Sequence, residues 1–327
     1  MAQSVYNIAE AVHNWGTEYA IQAGLHKYFP VMSPESHIFF VDGDNGSDSA
    51  DNNGQTADTP LLTITAALGK CTTKKNDYIF LLNYYRASGE TWPISITKEN
   101  VHIIGMASAG CPRVWVDPPS TTAAFELAQG SAHCEIANIQ IGAGATSACI
   151  DLTCNGAWGH WIHHNYFAMK QSMDAKYGIL IGETGYGENI HGLIEHNIFG
   201  AGITESGICI SANGGNSVRG MIIRNNHFTV NSGDHGVDVL NSGADFQEGG
   251  IFNNTFEVDG DAADGEAVYF VSGAKGNVHG NSAWTDDGVI PENNPFFDAG
   301  TTNMSWGANI RGGGVATGPY LATPTNI

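Results

Sequence analysis

Two short apolar patterns recur along the middle of the chain with one common period. The first reads Ile162-His-His-Asn165-Tyr-Phe167, Ile194-Glu-His-Asn197-Ile-Phe199, Ile223-Arg-Asn-Asn226-His-Phe228 and Ile251-Phe-Asn-Asn254-Thr-Phe256, then a degenerate Val278-His-Gly-Asn281-Ser-Ala283. The asparagines follow one another at steps of 32, 29, 28 and 27 residues (197 − 165, 226 − 197, 254 − 226, 281 − 254). An earlier copy, Ile136-Ala-Asn-Ile139-Gln-Ile141, has isoleucine in the asparagine position. The second pattern reads Ile150-Asp-Leu152, Ile179-Leu-Ile181, Ile208-Cys-Ile210, Val237-Asp-Val239 and Val268-Tyr-Phe270. Each copy is apolar at its first and third positions, the signature of a strand with one buried face. A fixed period of this kind marks a stacked repeat. A unit of about 29 residues that contains two strands and no helical period has no room for a full helix. The expected fold is therefore all-β: a single-stranded, right-handed parallel β-helix whose coils rise about 4.8 Å each, the strand spacing in a sheet.

The recurring asparagine fits this arrangement. Its amide can bond the same residue in the coils above and below, and it tolerates the left-handed backbone of a tight turn. Outside the repeats, Val5, Ile8, Val12, Trp15 and Tyr19 recur at helical steps, so residues 1–36 are expected to hold a helix that caps the solenoid or anchors it. His37–Val41, Tyr78–Leu82 and Val101–Gly105 read as strands, and Leu61–Leu68 as a short helix. The solenoid is expected over residues 37–285. Residues 286–327 form a glycine-rich tail with no core pattern of its own.

Composition narrows the function. Only 13 Lys and Arg stand against 33 Asp and Glu, a formal net charge of −20. Phosphate backbones and anionic lipid need positive charge, so neither a nucleic-acid nor a membrane partner is expected. The same charge favours a neutral glycan over a densely anionic one. The start of the chain shows no basic segment followed by an apolar run, so no signal peptide is expected. The six cysteines show no zinc spacing and read as buried thiols.

The Ile-x-x-Asn-x-Phe repeats resemble the pectate-lyase-like superfamily of parallel β-helices. Phe40-Val-Asp-Gly, Asn45-Gly-Ser-Asp48 and Thr59-Pro-Leu-Leu-Thr-Ile64 look like the opening segment of such chains, bacteriophage tailspike-like proteins among them. The resemblance covers roughly residues 37–285. It implies the fold and leaves activity open, since that superfamily spans lyases, hydrolases, epimerases and non-catalytic virion components.

Outward-facing columns of the repeat supply the candidate chemistry. After the isoleucine come His163, Glu195, Arg224, Phe252 and His279. An acid, a base and an arginine thus fall on one face, with His196 beside them. His163, Glu195, His196 and Arg224 are the catalytic candidates, and the competing reading is an ordinary cross-strand ion pair. Tyr166, His227 and Phe252 are glycan-binding candidates. In the second pattern the outward column is Asp151, Leu180, Cys209, Asp238 and Tyr269; Leu180, Cys209 and Tyr269 are interface candidates. Asp151 and Asp238 lie three coils apart, about 14 Å, which is too far for a glycosidase pair. Asp42, Asp44 and Asp48 have the alternation of a calcium loop but lack its closing acid; a plain Asx turn is the other reading.

No lyase or hydrolase motif matches residue for residue. The leading expectation is thus a bacteriophage virion structural protein, a capsid decoration or tail component. It would assemble in the host cytoplasm with capsid or tail proteins, as a homo-oligomer such as a trimer, exposed on the particle and in contact with a surface glycan. The alternative is a polysaccharide lyase or glycoside hydrolase.

Overall fold

The computed structural model describes residues 35–84, 87–106, 114–119, 121–152, 158–169, 174–183, 189–212, 217–231, 234–239, 245–258, 265–270, 274–285, 296–298, 303–312 and 320–321. The expected N-terminal helix lies outside them. The chain is a parallel β-solenoid with three faces: a 12-stranded, a 9-stranded and an 8-stranded sheet. Among the described residues every strand pairs in parallel with its equivalent one coil away, except for a short antiparallel pair formed by Ile310–Gly312 and Tyr320–Leu321.

The period read from the sequence is the pairing register. Ile136, Ile162, Ile194, Ile223, Ile251 and Val278 are directly opposed in successive strands of the 12-stranded sheet and are all buried. Ile150, Ile179, Ile208, Val237 and Val268 do the same in the 8-stranded sheet. The phenylalanines of the first pattern stack inside: Phe167, Phe199, Phe228 and Phe256 have centroids 4.6, 4.5 and 4.8 Å apart with rings within 11° of parallel. That stack dictates glycine on the adjoining strand. A Cβ on Gly207 would meet the Phe228 ring at 2.6 Å, and one on Gly236 the Phe256 ring at 2.4 Å.

The asparagines form a continuous buried ladder. In each, the backbone N–H and the side-chain amide both donate to Oδ1 of the next, from Asn165 through Asn197, Asn226, Asn254 and Asn281 to Asn309. The side-chain amides also donate to the carbonyls of Ile136, Ile162, Ile194, Ile223, Ile251 and Val278. The left-handed residue is not the asparagine itself, as the sequence argument had it, but its predecessor: His164, His196, Asn225, Asn253, Gly280 and Ala308 have φ between 53° and 71°. Asn309 belongs to the ladder, and Asn303–Gly307 pairs with Lys275–His279. The boundary expected at residue 285 therefore does not coincide with a break in the solenoid.

The short helix runs from Ile64 to Lys70, capped by the Thr63 side chain. Cys71, Cys134, Cys149 and Cys209 are free, buried thiols. Cys111 and Cys154 lie outside the described residues. Among the described residues no helix is long and apolar enough to cross a membrane.

Candidate functional site

On the 12-stranded sheet the buried isoleucine column is flanked by two outward columns. One reads Tyr78, His102, Glu135, Trp161, Leu193 and Ile222; the other contains His163, Glu195, Arg224, Phe252 and His279. Glu135 accepts from His102 Nδ1 at 2.7 Å and from His163 Nε2 at 2.8 Å. Burial alone would push its carboxyl up, but the two imidazoles outweigh that and hold it down at about 2. Glu195 is also buried. It accepts from Trp161 Nε1 at 3.0 Å and from Arg224 Nε at 2.8 Å, with His196 Nε2 3.8 Å away. Burial opposes its charge, yet the arginine and indole donors leave it below the usual carboxylate range. His163 Nδ1 contacts His164 Nδ1 at 2.8 Å, and its ring stacks on Trp161 at 3.9 Å.

The four catalytic candidates therefore do share one face, but not as expected. His163 is held by Glu135, and Glu195 by Trp161 and Arg224. His102, Glu135 and Trp161 are not legible from the position after the isoleucine; by the period of a strand, the position before it faces outward as well. Both carboxylates are ionised acceptors with their donors supplied. This face can orient and bind, but neither of these two carboxyls is kept neutral for proton delivery.

The glycan-binding candidates separate. Tyr166 and His227 belong to one column of the 9-stranded sheet, with Ile198 between them and Thr255 beyond, whereas Phe252 lies on the 12-stranded sheet. The calcium candidates diverge as well. Asp42 accepts from the backbone of Asp44 and Asn45, Asp44 from the Asn83 amide, and Asp48 from Leu62 N, Thr63 N and Thr63 Oγ1 at the helix start. These are the bonds of an Asx turn and a helix cap. Among the described residues no group of three His, Cys, Asp or Glu is placed to hold a metal ion.

The 8-stranded sheet carries a different chemistry. Its outward column runs Ser95, Glu126, Asp151, Leu180, Cys209, Asp238 and Tyr269, each opposed to the next. The interface candidates Leu180, Cys209 and Tyr269 do share this line. Cys209 is fully buried, while Leu180 and Tyr269 are half-buried. The register keeps Asp151 and Asp238 three coils apart, so those two form no pair. Asp151 has a partner one coil earlier, Glu126, which the sequence argument missed because Phe125-Glu-Leu127 precedes Ile150 by 25 residues rather than 29.

Glu126 and Asp151 are both half-buried and line a cleft of about 290 Å³ with Pro93, Thr122, Ser147 and Tyr177. In-register neighbours in adjacent strands stand about 4.8 Å apart. At the rim, Tyr177 OH donates to Glu205 at 2.8 Å, and Lys176 Nζ lies 3.1 Å from the other Glu205 oxygen. Burial and the Glu205 bond push the Tyr177 phenol up to about 12, so it stays a neutral donor.

Further along the same column, Asp238 is 1 % exposed. Its Oδ2 takes a long bond from Ser206 at 3.4 Å, and its Oδ1 has no described partner. Burial pushes its carboxyl up to about 6, and that of Asp234 to about 6 as well. His235 stacks on Tyr269 at 4.7 Å, with Nδ1 2.8 Å from Glu266 Oε2, an ion-pair distance without hydrogen-bond alignment.

No protein family's sequence profile matches the chain, and no characterised protein matches it in sequence. Solved structures with a similar course include an alginate lyase from Paenibacillus sp. str. FPU-7, 15 % identical, with a TM-score of 0.46 over 77 % of this chain and 95 % of that one. A GH136 lacto-N-biosidase from Eubacterium ramulus is 13 % identical, with a TM-score of 0.31 over 92 % of this chain and 73 % of that one. The expectation of a virion structural component is corrected at this point: these similar structures are a polysaccharide lyase and a glycoside hydrolase, the class of the alternative reading. Neither lends weight to a tailspike-like character. Likeness this distant concerns architecture alone, and the activity has to be argued from the residues.

Proposed function

We propose that the chain is a carbohydrate-active β-solenoid that cleaves glycosidic bonds of a neutral glycan in the Glu126–Asp151 cleft. The observation that supports this reading is the in-register pairing of two half-buried carboxylates inside a concave site. Adjacent-coil spacing puts the pair near the roughly 5–5.5 Å separation at which one carboxylate attacks the anomeric carbon while the other serves as acid and then base. In that sequence the carboxylate–carbon bond forms as the glycosidic carbon–oxygen bond breaks. The leaving oxygen takes the proton of the second carboxyl, and water, deprotonated by that group, then releases the sugar.

Hydrolysis is favoured over elimination for an electrostatic reason. A lyase acts on a uronate, whose carboxylate must be neutralised by a cation. Among the described residues the cation at this rim, Lys176, is committed to Glu205, and the chain carries a net charge of −20. The test is to incubate the full chain with neutral polysaccharides and with polygalacturonate, following reducing ends and the absorbance of unsaturated sugars. Reducing ends from a neutral glycan, lost on Asp151→Asn, are expected. Unsaturated products, or release that survives Asp151→Asn, would refute the proposal.

A further inference from the structure

We infer that the 12-stranded sheet carries a second, non-catalytic glycan-binding platform, built on Trp161 and separate from the cleft. The inference takes its ligand class from the reading above but requires no turnover. Trp161 is 41 % exposed and stands outside the hydrophobic core. An indole left open to water contributes little to folding, yet this one is fixed from two sides. Its ring stacks on His163 at 3.9 Å, and its Nε1 donates to Glu195 at 3.0 Å. Both supports are themselves held. Glu135 fixes His163, and Arg224 fixes Glu195.

Burying an ionised carboxylate costs several kcal/mol unless it is fully paired. Here two buried carboxylates are spent on orienting an exposed ring, an arrangement that makes sense when the ring is a contact surface held ready in advance. The surface continues past the indole. The exposed rings of His164 and His196, one coil apart, stack at 5.1 Å. Arg224 is 45 % exposed, and among the described residues no hydrogen bond uses its terminal nitrogens.

The chemistry of this strip selects its occupant. A flat aromatic face takes the C–H face of a sugar ring. The guanidinium and the exposed imidazoles of His164 and His196 donate to hydroxyl and ring oxygens. An anionic chain would meet two ionised carboxylates on a molecule of net charge −20. A second copy of the protein would bring the same charge against itself. A neutral glycan chain, lying along the face across Trp161 and the imidazole stack, meets neither penalty.

The experiment separates binding from cleavage. The full chain carrying Glu126→Gln, which keeps the platform intact, is run by affinity electrophoresis through gels containing laminarin, mannan, glycol chitin or polygalacturonate. Retention by at least one neutral polysaccharide is expected, and at least tenfold weaker retention after Trp161→Ala. Trp161→Phe, which keeps a ring but loses the bond to Glu195, should fall between the two. Circular dichroism of each variant guards against misfolding. Retention unchanged by Trp161→Ala, or retention by polygalacturonate alone, would overturn the inference. So would size-exclusion showing a self-associated parent and a monomeric Trp161→Ala, since the face would then be a contact between copies. Because retention is read on a chain without a complete carboxylate pair, loss of the platform and loss of the cleavage reading give different results.

Discussion

The 12-stranded and 8-stranded faces are built on the same scaffold, with the same period and the same apolar interior, yet they treat their buried acids in opposite ways. On the 12-stranded face Glu135 and Glu195 sit among His102, His163, Trp161 and Arg224, and are held ionised. On the 8-stranded face Asp238 and Asp234 are buried with too few donors, and burial lifts both to about 6. The difference lies in the donors that adjacent coils contribute. A solenoid offers each side chain the residues of the coils above and below it, opposed or diagonal, so one substitution per coil decides whether an acid is an anchor or a reservoir of protons. The paired acids gather on the first face, whereas the second opens the Glu126–Asp151 cleft in which cleavage is proposed.

The largest effects should come from exchanging the roles of the two faces. Glu126→Gln is expected to reduce sugar release by roughly 10²–10⁴-fold, the usual worth of a positioned acid or base, with thermal unfolding almost unchanged. Glu135→Ala should do the reverse, costing roughly 3–5 kcal/mol in urea titrations at pH 7 by leaving two imidazoles without their acceptor. If Glu135→Ala silences cleavage in a fully folded chain while Glu126→Gln does not, the assignment of the faces is inverted.

Next in size is the pH response of the parent. The Glu135 carboxyl lies at about 2, below the ordinary value of 4.5, so its contribution is complete above pH 4.5 and is lost as pH falls towards 2. The advantage of the parent over Glu135→Ala should therefore shrink across that window. Asp238 has the opposite sign. Its carboxyl lies at about 6, above the ordinary 3.8, so its contribution is present below pH 3.8 and is lost as pH rises through 6. Asp238→Asn is expected to stabilise the chain by on the order of 1–2 kcal/mol at pH 8 and by nothing measurable at pH 4. Destabilisation at pH 8 would mean that the charge of Asp238 is balanced after all, by His235. A loss of similar size, on the order of 1–2 kcal/mol, is expected of Arg224→Ala: its guanidinium is 45 % exposed and screened, but its removal leaves the buried Glu195 carboxylate with the Trp161 indole as its donor.

The sequence carried most of the fold, because a solenoid writes its contacts at a constant spacing. Ile162, Ile194 and Ile223 are opposed in space as they are aligned in the text, and the asparagine ladder follows from the same count. The site was only half legible. Glu195 and Arg224 obey the period and were found together. Glu126 escaped because its coil is shorter than the others, so counting in steps of 29 passes over it. Glu135 and Trp161 escaped through the choice of one outward position where a strand has two. Tyr166 and Phe252 were grouped by composition, but a turn at the asparagine places them on different sheets. The period gives the rung on which a residue sits; which of three faces it occupies depends on where each coil turns.

The most direct test of the carboxylate pair is the stereochemistry of the reaction. The anomeric configuration of the first sugar released from a neutral glycan is to be followed by proton NMR before mutarotation sets in. Two carboxylates on adjacent coils start from a strand spacing of about 4.8 Å, near the range of a retaining pair, so the product should keep the configuration of the bond that was cut. An inverted product would contradict the account, since it needs carboxylates roughly 6.5–9.5 Å apart, wider than the spacing of adjacent strands.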